Sequence, residues 1–244
     1  MKCRLVISFI CLNLLGLIGS LAAGEPAHDF ARWEKEISAF ERSDRTNPPA
    51  KGCILFIGSS TIRFWQSLPQ DFPGLPVVNR GFGGSELEDA THFADRIIFP
   101  YEPGIIFLRA GGNDLWAGKT PERVFADFKD FVTTVRSRLP RTVIVYIGWN
   151  PSVARWKQAD KEKEMNRLIE AHVRRTPGLK YADAWSIPLD AAGKPRPELF
   201  RADGLHFNAR GYEELIRRVR PFLPAPAVKQ VRLPGGVTAG ALRG

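Results

Sequence analysis

Short, unbroken apolar runs alternate along this chain with longer segments whose apolar residues recur every three or four positions. Over residues 27–42, Phe30, Trp33, Ile37 and Phe40 recur at helical spacing, and Asn47-Pro48-Pro49 ends the segment. Cys53, Ile54, Leu55, Phe56 and Ile57 predict a first buried strand, with a helical turn over residues 61–68. Val77, Val78 and Asn79 predict a short second strand, and Ser85 is placed to cap a helix through Ile98, with Glu88 completing a capping box. Residues 105–108 predict the third strand. Thr120 and Pro121 then open a helix whose stripe is Val124, Phe128, Phe131, Val132 and Val135. Residues 143–147 predict the fourth strand, residues 157–175 a helix carrying Met165, Leu168 and Ile169, and residues 179–185 the fifth strand. Residues 208–222 read as the last helix, with Tyr212, Leu215, Ile216 and Val219 facing inward.

Strands that alternate with helices, and that are apolar throughout rather than at every second position, imply an α/β fold with a parallel sheet covered on both faces. Ligands of such sheets bind beyond the carboxyl ends of the strands. Three Gly-containing patches fall at those ends: Gly58-Ser59-Ser60, residues 81–85, and Gly111-Gly112-Asn113-Asp114. They are expected to converge in space.

The length of 244 residues suits one α/β domain, and 44% hydrophobic content is enough for a substantial core. Lys2 and Arg4, a mostly apolar stretch over residues 5–18, and the small residues of 20–24 read as a secretory signal. The expected organisation is a signal peptide over 1–24, one domain over 25–223 and a flexible Pro/Gly/Ala-rich tail over 224–244. The product is then secreted or periplasmic, without a stable membrane span after cleavage; a retained anchor is the alternative. Cys3 and Cys11 leave with the signal, so Cys53 remains as a single core cysteine with no intramolecular disulfide. The net charge of +9 falls to +7 without Lys2 and Arg4, and the basic residues are scattered. They read as solvated helix faces, and no nucleic-acid module is visible.

A hydroxyl nucleophile needs an imidazole to take its proton and a carboxylate to orient that imidazole. Asp203-Gly204-Leu205-His206 offers both on one turn, and Ser59 and Ser60 offer the hydroxyl at the end of the first strand. Taken alone, the Gly-Ser-Ser patch is also common turn chemistry, and the Asp–His pair also suits a buried structural contact. One Asp and one His are too few for a metal site, so no metal is expected. His28, His92 and His172 fall on predicted helices and read as surface or packing residues. No G-x-S-x-G surrounds Ser60, which argues against the α/β-hydrolase nucleophile elbow.

The four blocks Phe56-Ile57-Gly58-Ser59-Ser60-Thr61-Ile62-Arg63, Asn79-Arg80-Gly81-Phe82-Gly83-Gly84-Ser85, Gly111-Gly112-Asn113-Asp114 and Asp203-Gly204-Leu205-His206 resemble, in order, those of the SGNH (GDSL-like) hydrolases. That resemblance implies an esterase on a flavodoxin-like three-layer α/β/α sandwich with a parallel sheet of about five strands. It further implies Ser60 as nucleophile, His206 as base, Asp203 as its partner, and Gly84 and Asn113 as oxyanion donors, with no cofactor. Ser59 and Thr61 depart from the Asp and Leu usual in the first block, and Ser59 adds a second hydroxyl beside Ser60. Arg63, Trp65, Arg80, Trp116 and Trp149 are candidates for a substrate pocket, and the segment through Asn150, Arg155 and Trp156 for a loop over it. Tryptophans beside arginines suit a sugar ester, acetylated or acidic, so the expected substrate is a small-molecule or glycan acyl ester, carbohydrate O-acetyl esters being favoured. The alternatives are an acyl-lipid ester, as for a lysophospholipase or thioesterase, and a catalytically silent glycan-binding domain.

Overall fold

The computed structural model describes residues 28–225, and its strands form one five-stranded parallel sheet. The expected signal peptide and nearly all of the expected tail lie outside the described residues. A 3-10 turn over Phe30–Trp33 leads into α1 (Glu34–Thr46), which Asn47 ends before the two prolines. β1 (Ile54–Gly58) is followed by α2 (Ser60–Arg63) and α3 (Leu68–Asp71), and β2 (Val77–Gly81) by α4 (Leu87–His92) and α5 (Ala94–Ile97). β3 (Ile105–Arg109) leads to α6 (Gly112–Trp116) and the long α7 (Pro121–Arg138). β4 (Val143–Ile147) leads to α8 (Ala159–Val173), and β5 (Leu179–Ala182) to α9 (Ala209–Val219).

The strand order is β2-β1-β3-β4-β5. The chain therefore reverses its winding direction between β1 and β3, leaving a crevice at the carboxyl ends there. Gly58 stands in register with both Gly81 and Arg109 at that edge.

Burial on both faces explains the unbroken apolar runs. Leu55, Ile57, Ile106, Leu108, Ile144 and Tyr146 enter one core, shared with α1, α4, α5, α7 and α8. The alternating residues Ile54, Phe56, Phe107, Val145 and Ile147 enter a second, closed by α2, α3 and α9. Successive strand side chains point to opposite faces, so each position must be apolar. Phe56 stacks on Phe107 at 4.5 Å and on Phe72 at 5.9 Å. Burying a side chain of that size stabilises the fold by about 1.5–3 kcal/mol. Cys53 is buried, and burial pushes its thiol up to about 11.

α7 starts as expected: the Arg123 N–H donates to the Thr120 hydroxyl, and Val124, Phe128, Phe131, Val132 and Val135 are all buried. Other boundaries differ. Ser85 does not cap the helix after β2; the cap is Glu86, whose N–H donates to the Asp89 carboxylate at 2.8 Å in a reciprocal capping box. Ser85 is wholly buried and its carbonyl accepts from Asn113, so the helix starts one residue later, and it breaks at Phe93 into α4 and α5. β5 ends at Ala182 rather than at residue 185, because the Trp185 N–H turns back to the Asp183 carboxylate at 2.9 Å. The first helical segment among the described residues begins at Phe30, so His28 precedes it rather than lying on it, whereas His92 ends α4 and His172 lies in α8. A 3-10 turn over Trp156–Gln158 precedes α8, and another over Arg220–Phe222 follows α9, where Pro221 cannot donate to the helix ladder. Among the described residues no helix is long and apolar enough to cross a membrane.

Candidate active site

At the end of β1 the Ser59 N–H donates to the Arg109 carbonyl at 3.1 Å, and the chain turns so that Ser60 opens α2. A first helical residue has no intrahelical acceptor for its N–H. The two serines part here. Ser59 is wholly buried, and its hydroxyl has no hydrogen-bond partner among the described residues. Ser60 is half-buried, with Oγ 3.0 Å from His206 Nε2.

His206 and Asp203 occupy a small hairpin closed by the Phe200–Phe207 bridge and by Arg201 N–H donating to the His206 carbonyl at 2.8 Å. Asp203 Oδ1 accepts the N–H groups of Leu205 and His206 at 2.9 and 3.0 Å, and Oδ2 lies 2.7 Å from His206 Nδ1. Burial alone would raise the Asp203 pKa, but the hydrogen bonds from His206 and from the turn N–H groups outweigh it and hold the carboxyl at about 2. An ionised carboxylate only accepts, so Nδ1 carries the imidazole proton and the Nε2 lone pair meets the serine hydroxyl. Phe64, one helical turn after Ser60, meets the imidazole edge-on at 4.9 Å.

Gly84 and Asn113 join the same site, at the ends of β2 and β3. Gly84 has φ +84°, and a Cβ there would come 3.2 Å from the Trp33 ring that backs it. Asn113 donates from Nδ2 to the Ser85 carbonyl at 3.0 Å, while its Oδ1 accepts from Arg155 Nη1 at 3.0 Å. The guanidinium thereby fixes which way the amide faces, and one of the two amide N–H groups remains for another acceptor. Ser60, Gly84, Asn113 and His206 line one cavity of about 270 Å³. Wider grooves of about 540 and 600 Å³ lie along α8 and β5 and contain no serine–histidine pair.

Residues 57–214 match the sequence profile of the GDSL-like Lipase/Acylhydrolase family. The chain belongs to that family. No curated protein matches its sequence. Solved structures that share the fold include a Streptococcus pneumonia protein named for platelet activating factor, at 19% identity and TM-score 0.70, covering 79% of this chain and 94% of that one. A GDSL-like lipase from Bacteroides thetaiotaomicron is 14% identical with TM-score 0.62, covering 80% of this chain and 96% of its own. A catalytic mutant of an acetylxylan esterase from Geobacillus stearothermophilus is 15% identical with TM-score 0.58, covering 70% and 94%.

Within this GDSL-like chain, the residues expected around the pocket divide. Arg63 and Trp149 line it, joined by Thr61, Phe64, Gly83, Leu205 and Arg155. Phe64 was recognisable from its spacing to Ser60, and Leu205 from its place inside the Asp–His turn. Trp116 does not line the cavity; it is 61% exposed, with Arg155 4.8 Å over its ring. Trp65 is buried in the core on the α9 side, where its indole N–H donates to Asp71 at 2.6 Å. Arg80 turns away as well, paired with Asp44 and donating to the Tyr101 hydroxyl at 2.8 Å.

Behind the cavity wall sit two buried carboxyls. Asp114 accepts the Leu87 N–H at 3.0 Å, tying α6 to α4, and burial raises its pKa to about 7 against the pull of Lys119. Glu162 accepts from Gln158, which also donates to the Gly112 carbonyl, and burial raises it to about 7 too. In the unfolded chain both ionise near their ordinary values of 3.8 and 4.5. A folded-state pKa that is raised means stability fully present below about pH 4 and lost as pH rises through about 7, at up to about 1.4 kcal/mol per pH unit per group. The melting temperature is therefore expected to be lower at pH 8 than at pH 5, and Asp114→Asn to flatten that slope. A melting temperature that climbs from pH 5 to 8 would contradict this account.

One group of metal-ligand type occurs among the described residues: His28, Glu86 and Glu88, with ligand atoms within 4.8 Å of one another. Lys119 already contacts Glu86 at 3.1 Å and Glu88 at 2.6 Å, and Arg32 contacts Glu86 at 3.3 Å. Cations of the chain itself thus neutralise these carboxylates, leaving little reason for a metal to displace them.

Proposed function

We propose that this protein is an exported serine ester hydrolase in which Ser60 is the nucleophile, His206 the general base and Asp203 the group that orients the imidazole. The carrying observation is the pair of hydrogen bonds from Asp203 through His206 to Ser60, 2.7 and 3.0 Å long. In that arrangement Nε2 takes the Ser60 proton as Oγ attacks the ester carbonyl, and the ionised Asp203 stabilises the imidazolium that forms. Charge developing on the carbonyl oxygen meets the N–H groups of Ser60 and Gly84 and the free N–H of the Asn113 amide. Collapse of the tetrahedral intermediate expels the alcohol, which takes its proton from His206. Water then attacks the acyl-enzyme with His206 again as base, and no cofactor enters the cycle. The solved catalytic mutants of the acetylxylan esterase alter a serine, an aspartate and a histidine, the last two spaced three apart as Asp203 and His206 are. Export rests on the basic start and apolar stretch of the first residues.

Small acyl esters suit the site best, with carbohydrate O-acetyl esters favoured over acyl lipids. A cavity of about 270 Å³ has room for a short acyl group, and its apolar lining is confined to Phe64, Trp149 and Leu205. A long acyl chain would need an extended apolar groove. In a series of p-nitrophenyl esters, kcat/KM is expected to be highest for acetate and to fall beyond butyrate. A steep rise with chain length would instead favour a lipid substrate.

A further inference from the structure

Among the described residues, the cavity beside Ser60 is bordered by two arginines and by no acidic side chain. Arg63 lies across Gly83, where a Cβ would come 2.8 Å from its Nη1. Arg63 is exposed, and among the described residues its guanidinium makes no hydrogen bond or ion pair, only a ring contact with Phe64 at 5.8 Å. Arg155 stands at the Asn113 side and is half-buried. It donates only to neutral acceptors, Asn113 Oδ1 at 3.0 Å and the Gly112 carbonyl at 3.5 Å. A third arginine, Arg201, sits 4.5 Å over the ring of Phe64, again without a carboxylate.

Among the described residues, several other partly buried cations have acidic partners, whereas Arg136 and Arg196 donate only to backbone carbonyls. Arg80 meets Asp44, Arg96 meets Glu34 and Glu41, and Lys119 meets Glu86, Glu88, Asp114 and Asp127. Arg109, fully buried, is held by the Gly148 carbonyl and Asn150. Asp203 does not serve the cavity arginines, since both of its oxygens are taken by His206 and the turn. Glu162 acts on Arg155 only as a more distant charge, and burial disfavours the charged form of the guanidinium. Arg155, half-buried without a counter-ion, gains most from an anion brought in by a ligand, the exposed Arg63 adds a second positive charge at the same cavity, and guanidinium groups match carboxylate and phosphate oxygens in geometry.

We propose that the substrate is an anionic ester, an acyl ester whose alcohol part carries a carboxylate or phosphate near the acyl oxygen, held by Arg63 and Arg155 while Ser60 attacks. The proposal rests on the esterase reading above and adds the charge of the substrate to it. A neutral acetylated sugar would leave the half-buried Arg155 guanidinium uncompensated. An acidic one supplies the missing charge and is drawn toward the cavity by the same field.

Two matched pairs test it: a mono-O-acetylated methyl glucuronoside against the corresponding glucoside, and acetylglycerol phosphate against acetylglycerol. The anionic member of at least one pair is expected to show kcat/KM about ten- to a hundredfold above its neutral partner, as charged hydrogen bonds of this kind would give. The responding pair tells carboxylate from phosphate, and added salt should shrink the ratio. In Arg63→Gln and Arg155→Gln the ratio should move toward one. A merely structural role for either arginine would lower both members alike and leave the ratio unchanged. Equal kcat/KM within both pairs, or a preference that persists in both variants, overturns the proposal even if a fluorophosphonate labels Ser60. Absence of both labelling and hydrolysis would overturn the esterase reading itself, and the proposal with it.

Discussion

Ester hydrolysis is expected to fall by about 10⁴-fold or more in Ser60→Ala, the scale seen when the nucleophile of a serine–histidine pair is removed. The fold should survive, because the Ser60 hydroxyl has one partner, His206 Nε2, and a half-exposed position. Loss of one hydrogen bond outside the core costs about 1 kcal/mol, a shift of a few degrees in melting temperature for a chain of this size. Activity and stability therefore separate in this variant. The informative measurement is kcat/KM on p-nitrophenyl acetate beside a thermal unfolding curve and fluorophosphonate labelling. A variant that keeps activity within tenfold of the parent, or that still takes up the label, would remove Ser60 from the chemistry. Ser59 would not inherit its role, since it is wholly buried and its hydroxyl has no hydrogen-bond partner among the described residues.

The largest effect on stability is expected from Gly58→Ala. Gly58 has φ +141°, and a Cβ on it would come 2.0 Å from the carbonyl oxygen of Arg109 on the neighbouring strand. The carbonyl is backbone at the carboxyl end of β3, paired in register with β1, so no side-chain rotation relieves the overlap. Overpacking and backbone strain together suggest a cost of about 3–5 kcal/mol. For a domain of this size that is a melting-temperature drop of roughly 10 °C or more. The same shift would disturb the Ser59–Arg109 hydrogen bond that turns the chain into α2. Residual folded protein should then show a lower kcat as well. A variant with unchanged melting temperature and kcat would show that β1 and β3 can separate at this point without consequence, contrary to the packing described.

Much of this architecture is written locally. Strands buried on both faces carry apolar residues at each position, so β1, β3 and β4 are legible from composition alone, whereas β5, an edge strand with an exposed Lys180, ends earlier than its apolar content suggests. The Thr120-Pro121 cap is equally local, because a hydroxyl reaching the N–H three residues on needs nothing from the rest of the chain. The cap at Glu86 was not, since it depends on Asn113 engaging the Ser85 carbonyl from a different strand end. Trp65 and Arg80 illustrate the same limit. Each stands close in sequence to a site residue, yet the rotation of α2 and the direction of the β2 side chain send both into other contacts.

By itself the sequence determined a parallel sheet covered on both faces and put a serine, a glycine and an asparagine at its strand ends and an Asp–His pair on one turn, because strand burial and turn chemistry act over a few residues. Only the tertiary structure decided which serine meets His206, and that Arg155, 42 residues from Asn113, orients its amide. Only it, too, left Arg63 and Arg155 without carboxylates at the cavity. Those outcomes depend on side-chain direction and on contacts between distant segments, and no local periodicity encodes either.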